Sequence, residues 1–106
     1  MVRQMETQQL QQKPNNYQGE DYYSLIIHDK DIVHFYSPTC GPCKMIDEIL
    51  SSYNNVLRVN VDEYVELVDN LNIRCVPTIY IYKEGSLVTK IEGYKNKEEL
   101  INLLIK

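Results

Sequence analysis

Two cysteines separated by a Gly-Pro pair, Cys40 and Cys43, constrain the fold of this chain more than any other feature of its sequence. The residues before them, Ile32–Tyr36, form a short β-branched and aromatic run that is typical of a buried strand. Apolar residues after them recur at the spacing of one helical face, at Met45, Ile46, Ile49, Leu50 and Tyr53. The pattern therefore predicts a dithiol between a strand and a helix that closes at Asn54 and Asn55.

This position gives the two sulfur atoms different chemistry. The strand delivers Cys40 to the carboxyl edge of the sheet, where α/β proteins place their sites. The helix begins under the Cys40 sulfur, and its unpaired N–H groups and positive dipole end stabilise a thiolate there. Pro42 suits the first helical turn, where a missing N–H costs nothing. Cys43 lies one turn inside and is more shielded, so we expect Cys40 to attack disulfides and Cys43 to resolve the mixed disulfide.

The remaining apolar patterns indicate an α/β fold. Strands are predicted at 56–61, 78–82 and 87–91, and helices within 20–29, at 65–71 (from Val65, Val68 and Leu71) and after an N-cap at Asn96 (with Leu100, Ile101, Leu104 and Ile105 buried). The first two strands enclose a helix and should be parallel, whereas the last two should form an antiparallel hairpin. The result is a mixed central sheet of about four strands, flanked by helices on both faces.

Composition narrows the class of protein. The chain has 106 residues, enough for one domain, and its net charge of −4 gives no support to binding of nucleic acid or of a membrane surface. No apolar run approaches the roughly 18 residues of a membrane helix, and none follows Arg3 as a secretory signal would require. Three cysteines, Cys40, Cys43 and Cys75, favour redox or metal chemistry in a reducing compartment, which we predict to be the cytoplasm.

The beginning of the chain differs from the rest. Six of residues 1–19 are Gln, and apolar residues there are few and unpatterned. Such a segment buries too little surface to offset its ordering entropy, which predicts a disordered Gln-rich N-terminal tail followed by a domain at 20–106. A partner-binding arm and an added strand are the alternatives.

Several segments resemble the thioredoxin family in order and spacing. Residues 39–45, which contain the dithiol, resemble the family's active-site segment, and Val76-Pro77-Thr78 resembles the loop that carries its cis-proline. Residues 35–38, 59–62 and 82–85 match further family stretches. The resemblance covers about 20–106. It implies a thioredoxin-like fold and a monomeric protein-disulfide reductase without cofactor or metal, whose partners are disulfide-containing proteins and a reductase that recharges the dithiol.

The resemblance also implies a docking surface for substrates. Pro77 should follow a cis bond, pack beside the dithiol and present the backbone before it to an extended substrate segment. The substrate-binding residues implied in this way are Thr39, Gly41, Pro42, Val76 and Gly93. Gly93 matches a family glycine that keeps this surface flat.

Three positions depart from the family pattern. Thr39 replaces the tryptophan that usually precedes the first cysteine, and its hydroxyl is a candidate cap for the helix. His34 aligns with the family's buried acidic residue, so it either accepts the proton of Cys43 or is a hydrogen-bonded core histidine. Arg58 replaces a lysine, and it either shifts the local charge or lies solvated at a strand end. Residues 20–31 have room for the family's N-terminal helix but not for its first strand.

The third cysteine, Cys75, allows two roles, and the sequence leaves two functions other than a disulfide reductase as alternatives. Cys75 is either a small apolar filler or a third thiol that forms an oxidative dimer or a glutathione adduct. A zinc set of Cys40, Cys43 and Cys75 with His28 or His34 is disfavoured, because no second cysteine pair exists. The main alternative function is a binding module that keeps the fold but has little turnover.

Overall fold

A four-stranded mixed sheet organises the protein. The computed structural model describes residues 26–105. The strands are β1 Ile32–Tyr36, β2 Val56–Asn60, β3 Thr78–Lys83 and β4 Ser86–Glu92, and the helices are α1 Gly41–Leu50, α2 Val65–Asn70 and α3 Lys97–Leu104. A single 3₁₀ turn at Ile27–Asp29 precedes β1. The tail predicted at 1–19, and most of the helix predicted within 20–29, lie outside the described residues.

The strand order is β2-β1-β3-β4. Strands β1 and β2 are parallel and are joined through α1, while β3 pairs antiparallel with both β1 and β4. The parallel pair follows from the helical crossover, and the hairpin follows from the short turn between β3 and β4. The α/β class, the mixed four-stranded sheet and both pairings are therefore confirmed.

The core is divided between the two faces of the sheet, because side chains alternate along each strand. On one face, Val33 and Phe35 of β1 pack in a cluster that includes Leu67 of α2. On the other face, Ile32 packs with residues of α1 and α3, among them Ile46, Leu50 and Leu100. His34 shares the face of Ile32, which places a completely buried imidazole on the side that α1 covers.

Helix α1 is shorter than predicted. It ends at Leu50, and the Ser51 N–H already donates to the Glu48 carbonyl oxygen, closing the helix with a tighter turn. The chain then reaches Asn55, whose φ of 57° lies in the left-handed region that asparagine tolerates. The expectation that the helix closes at Asn54 and Asn55 is therefore wrong by several residues. Met45, which the spacing placed on the apolar face of this helix, has an exposed side chain.

Helix α2 exists where expected but buries a different residue. The spacing of Val65, Val68 and Leu71 predicted the helix, yet Val65 is exposed and Leu67 is the buried side chain. Val68 and Leu71 pack only at the periphery of the core. A six-residue helix offers too few turns for apolar spacing to define its buried face.

Helix α3 begins with the predicted cap. The Asn96 side chain accepts a hydrogen bond from the Glu99 N–H at 2.9 Å, and the Glu99 carboxylate accepts one from the Asn96 N–H at 3.3 Å. This reciprocal arrangement is a capping box, with Glu98 also in the first turn. Leu100 is completely buried as predicted, whereas Ile105 follows the helix and is 71% exposed, so its predicted burial is wrong.

The contrast between Leu100 and Ile105 gives a stability prediction. We expect Leu100→Ala to lower the free energy of unfolding by about 2–5 kcal/mol, because it leaves a cavity between α3 and the sheet. Ile105→Ala removes the same kind of side chain from an exposed site and should change stability by less than about 0.5 kcal/mol. Urea denaturation followed by circular dichroism measures both, and equal effects would contradict this assignment of the core.

Candidate active site

The start of α1 holds the two cysteines as a disulfide. Cys40 is the N-cap residue, with extended backbone, and its Sγ accepts a hydrogen bond from the Cys43 N–H at 3.1 Å. The Cα atoms of the pair are 5.3 Å apart. The Cys40 sulfur therefore occupies the position in which a capping oxygen normally satisfies a free helical N–H. The same donor stabilises a thiolate after reduction.

The two sulfurs differ in access. Cys40 is partly exposed, whereas Cys43 is only 1% exposed. Gly41 and Pro42 between them are exposed, and the proline occupies the first helical turn, as predicted. A large disulfide substrate can therefore reach Cys40 but not Cys43.

The loop before β3 lies at the same edge of the sheet. The Val76–Pro77 bond is cis, as the resemblance implied. Strand register pairs Thr78 with Phe35 near the end of β1 and with Glu92 at the end of β4, which brings the proline to the edge that carries the dithiol. The Pro77 carbonyl oxygen accepts a hydrogen bond from the Gly93 N–H at 2.8 Å.

Gly93 holds this loop through its backbone conformation. Its φ is +86°, a region that side-chain-bearing residues rarely adopt, while a Cβ at this position would meet no atom within 4 Å. The conformation, rather than crowding, therefore requires glycine here. The residues expected to bind substrate are exposed or half-buried: Thr39, Gly41, Pro42, Val76 and Gly93.

Thr39 does not cap α1, so that expectation is wrong. Its hydroxyl lies 3.2 Å from the Ser37 hydroxyl, which also donates to Asp62 at 3.3 Å. Because Cys40 is the N-cap, Thr39 stands one residue too early to reach the free N–H groups of the helix. Its side chain instead belongs to a polar, exposed loop beside the dithiol.

His34 meets a residue that the sequence did not single out. Its Nδ1 lies 3.0 Å from Oδ1 of Asp47, a residue of α1 that is 30% exposed. The other ring nitrogen, Nε2, is buried and has no hydrogen-bond partner among residues 26–105. Asp47 follows Cys43 by four residues, so both lie on the same face of α1. The four-residue spacing from Cys43, together with a histidine on the buried strand, was the only sequence signal that Asp47 belongs to this site.

Arg58 completes this polar cluster. Its Nε donates to Asp47 Oδ1 at 3.0 Å and its Nη2 to Oδ2 at 2.9 Å, which is a bidentate pair. The guanidinium also lies over the Tyr36 ring, 4.0 Å from its centroid. Arg58 is half-exposed, as the solvated interpretation expected, but it lies within β2 rather than at a strand end and is held by two partners.

Burial controls the protonation of His34. Desolvation lowers the pKa of His34 below its ordinary value of 6.5, the Asp47 carboxylate opposes this effect, and the Arg58 charge adds to it. The net direction is downward, so the neutral imidazole is favoured in the folded protein near neutral pH. A neutral imidazole has one nitrogen that donates and one that accepts.

Cys75 is a free, exposed thiol near the docking edge. Its Sγ lies 3.7 Å from the Thr78 hydroxyl, which donates to the Cys75 carbonyl oxygen at 2.7 Å. The interpretation of Cys75 as a small apolar filler is therefore wrong.

Across residues 26–105 no three His, Cys, Asp or Glu side chains are grouped so as to hold a metal ion. In the same range, no helix has the length and apolar character of a membrane span.

Comparison with known proteins identifies the family. The family model described as Thioredoxin matches residues 11–106. The chain belongs to the thioredoxin family. It is 31% identical over 92 residues to a thioredoxin of Chlamydia caviae, which covers 81% of this chain and 90% of the relative. It is 38% identical over 82 residues to thioredoxin 1 of Synechococcus elongatus, covering 71% and 77% respectively.

Solved structures agree with this membership. The solution structure of oxidised thioredoxin from Plasmodium falciparum aligns with a TM-score of 0.64 at 32% identity, covering 82% of this chain and 90% of that one. The protein is a thiol–disulfide oxidoreductase, a protein-disulfide reductase of the thioredoxin family, as the sequence predicted. Its substrates are disulfide-containing proteins, and a reductase recharges the dithiol.

The lowered pKa of His34 predicts how the free energy of unfolding depends on pH. Below its ordinary pKa of 6.5 the unfolded histidine binds a proton that the folded one resists, so protons favour the unfolded state. This contribution to stability is complete above about pH 6.5 and is lost as the pH falls below it, with a slope of at most about 1.4 kcal/mol per pH unit. We expect His34→Gln to flatten the dependence between about pH 5 and 7.

The matched control is His28→Gln, which removes the exposed histidine. Urea denaturation at a series of pH values measures all three proteins. The control should keep the dependence of the parent protein, and an unchanged slope in His34→Gln would contradict the lowered pKa.

Proposed function

We propose that Cys40 is the attacking thiolate of this reductase and that Cys43 is the resolving thiol. The observation that carries the proposal is the hydrogen bond from the Cys43 N–H to Cys40 Sγ, on the more accessible sulfur of the pair. Donation from the first turn of a helix lowers the free energy of a thiolate relative to its thiol. Cys43 is buried, so a substrate disulfide does not reach it, and it is suited to resolve the mixed disulfide.

The cycle then runs through two exchanges. The Cys40 thiolate attacks one sulfur of a substrate disulfide, forms a mixed disulfide and releases the other substrate sulfur as a thiolate. Cys43 loses its proton, attacks Cys40 Sγ and releases the second substrate thiolate. Two electrons have passed to the substrate, and the Cys40–Cys43 disulfide is left for the recharging reductase.

His34 is our candidate for the group that accepts the Cys43 proton. Its imidazole is buried beneath the helix face that carries Cys43, and its lowered pKa keeps it neutral and able to accept. The unpartnered Nε2 supports this role over that of a core histidine with both nitrogens satisfied.

Substrate docking is proposed along the edge that carries the cis-proline. An extended substrate segment would pair with the backbone at Val76, while Pro77 packs beside the disulfide. The remaining contacts would come from Thr39, Gly41, Pro42 and Gly93. Main-chain pairing supplies affinity with little dependence on substrate sequence, and Thr39 offers less apolar surface than the tryptophan that is usual in the family.

Three further aspects are proposals as well. We propose that the domain is 20–106, and that the protein works in the cytoplasm, where the free thiol of Cys75 would stay reduced. We also propose that it is a monomer under reducing conditions. The exposed Cys75 would join two copies when an oxidant removes two electrons from a pair of Cys75 thiols.

Trapping experiments test the roles of the two cysteines. Cys43→Ser should accumulate a stable mixed disulfide through Cys40, because no thiol remains to resolve it. Cys40→Ser should form none, and both variants should reduce insulin in the presence of dithiothreitol no faster than dithiothreitol alone. Mass spectrometry of the adduct identifies the attacking cysteine. An adduct on Cys43 would overturn the assignment, and a parent protein without insulin reduction would favour a binding module.

Oxidative dimerisation gives a separate prediction. Diamide treatment of the parent protein should produce a dimer on a non-reducing gel, and dithiothreitol should remove it. Cys75→Ser should stay monomeric under the same conditions, because the dithiol closes on itself in preference. A dimer that persists in Cys75→Ser would contradict a role for this thiol.

A further inference from the structure

The two nitrogens of the His34 ring have different surroundings. Nδ1 lies 3.0 Å from Asp47 Oδ1, and both carboxylate oxygens of Asp47 accept hydrogen bonds from Arg58. A carboxylate held by a guanidinium is ionised and can only accept. The hydrogen of the neutral imidazole must therefore be on Nδ1, and Nε2 is left as the bare acceptor.

Nε2 is the only buried side-chain nitrogen or oxygen without a partner in the stretch 26–105. A buried acceptor without a donor is unfavourable, so native proteins retain one mainly where another state or a reaction uses it. In the oxidised form the Cys43 sulfur is bonded to Cys40 and carries no hydrogen. Reduction creates an S–H group on Cys43, one helical turn before Asp47 on the same face of α1.

We infer that Asp47 and Arg58 are positioning residues for the resolving step: Asp47 holds the hydrogen of His34 on Nδ1 so that Nε2 stays free for the Cys43 proton, and Arg58 holds Asp47 in place. The inference rests on the role proposed above for His34. It assigns the negative charge of this site to helix α1, whereas the family pattern places an acidic residue at the position of His34 itself.

The charges around His34 fit this assignment. Asp47 approaches from α1 and Arg58 from β2, while on β1 the neighbouring ring is that of Tyr36, 5.9 Å away between centroids. From β3 the register neighbour is the apolar Ile79. Asp47 stabilises the imidazolium that forms when Nε2 takes a proton, and Arg58 limits that effect, so the histidine releases the proton again.

Every proton and every bond of the resolving step is accounted for. The Cys43 S–H bond breaks and its proton moves to Nε2, while Nδ1–H remains bonded to Asp47. The Cys43 thiolate forms a bond to Cys40 Sγ, and the bond from Cys40 to the substrate sulfur breaks. The released substrate thiolate takes up a proton, and the imidazolium returns its own to solvent or to that thiolate.

The test separates attack from resolution in a single turnover. Reduced protein is mixed with one equivalent of an aromatic disulfide whose thiolate products are coloured, and the first and second thiolates released report Cys40 and Cys43 respectively. We expect Asp47→Ala to leave the first phase unchanged and to slow the second by about tenfold or more. The acidic limb of its pH profile should move to lower pH, because the carboxylate that raises the pKa of His34 is gone.

Two further variants serve as controls for Asp47→Ala. Glu48→Gln removes an equal charge from the adjacent, exposed position of α1 and should leave both phases and the pH profile unchanged. Asp47→Asn keeps an oxygen for Nδ1–H but loses the charge, so ¹⁵N NMR should find the same His34 tautomer while the acidic limb still moves to lower pH. This variant also covers the case in which Asp47→Ala fails to fold.

The outcomes distinguish this inference from the proposed function. If His34→Gln slows the second phase but Asp47→Ala changes neither the rate nor the pH profile, and Asp47→Asn leaves the pH profile unchanged, then His34 acts alone and the inference is overturned. If His34→Gln leaves the second phase unchanged, the proposed role of His34 fails, and the inference fails with it. The roles of Cys40 and Cys43 rest on the trapping experiment and are unaffected by either result.

Discussion

The hydrogen bond from the Cys43 N–H to the Cys40 sulfur is the contact on which the mechanism proposed for this protein depends. It exists because α1 begins directly after the first cysteine, which leaves an unpaired helical donor beneath that sulfur. The helix can begin there because β1 ends a few residues earlier and α1 crosses over to β2 in a parallel pair. Fold and reactivity therefore share one local structure.

The same crossover creates the second constraint of the site. Packing α1 onto the sheet buries the face of β1 that carries His34, so this position must hold either an apolar side chain or a satisfied polar one. Asp47, which Arg58 holds in place, satisfies only one nitrogen of the ring. The cluster combines a structural role, in which a buried ring is anchored through Nδ1, with an acceptor at Nε2 that the oxidised state leaves unused.

The sequence predicted local features well where one short-range interaction decides them. The capping box of Asn96 and Glu99 lies within one turn, and the helix start at the dithiol is fixed by Gly41, Pro42 and the N-terminal donors. It was less successful at the helix end after Leu50 and for the exposure of Met45, because both depend on how far α1 can lie against the sheet. The apolar spacing in α2 did not predict its buried residue for the same reason, since the packing of neighbouring elements orients a six-residue helix.

The family and the reaction class followed from the sequence alone. The sequence also predicted the two sulfurs that perform the reaction, because an attacking and a resolving thiol need only a strand, a helix start and a two-residue spacing. The surroundings of those sulfurs depend on tertiary contacts. Asp47 reaches His34, Arg58 reaches Asp47, and Gly93 holds Pro77 through contacts between residues 11 to 16 positions apart. Such contacts depend on strand register and helix packing, which no local pattern of residues specifies.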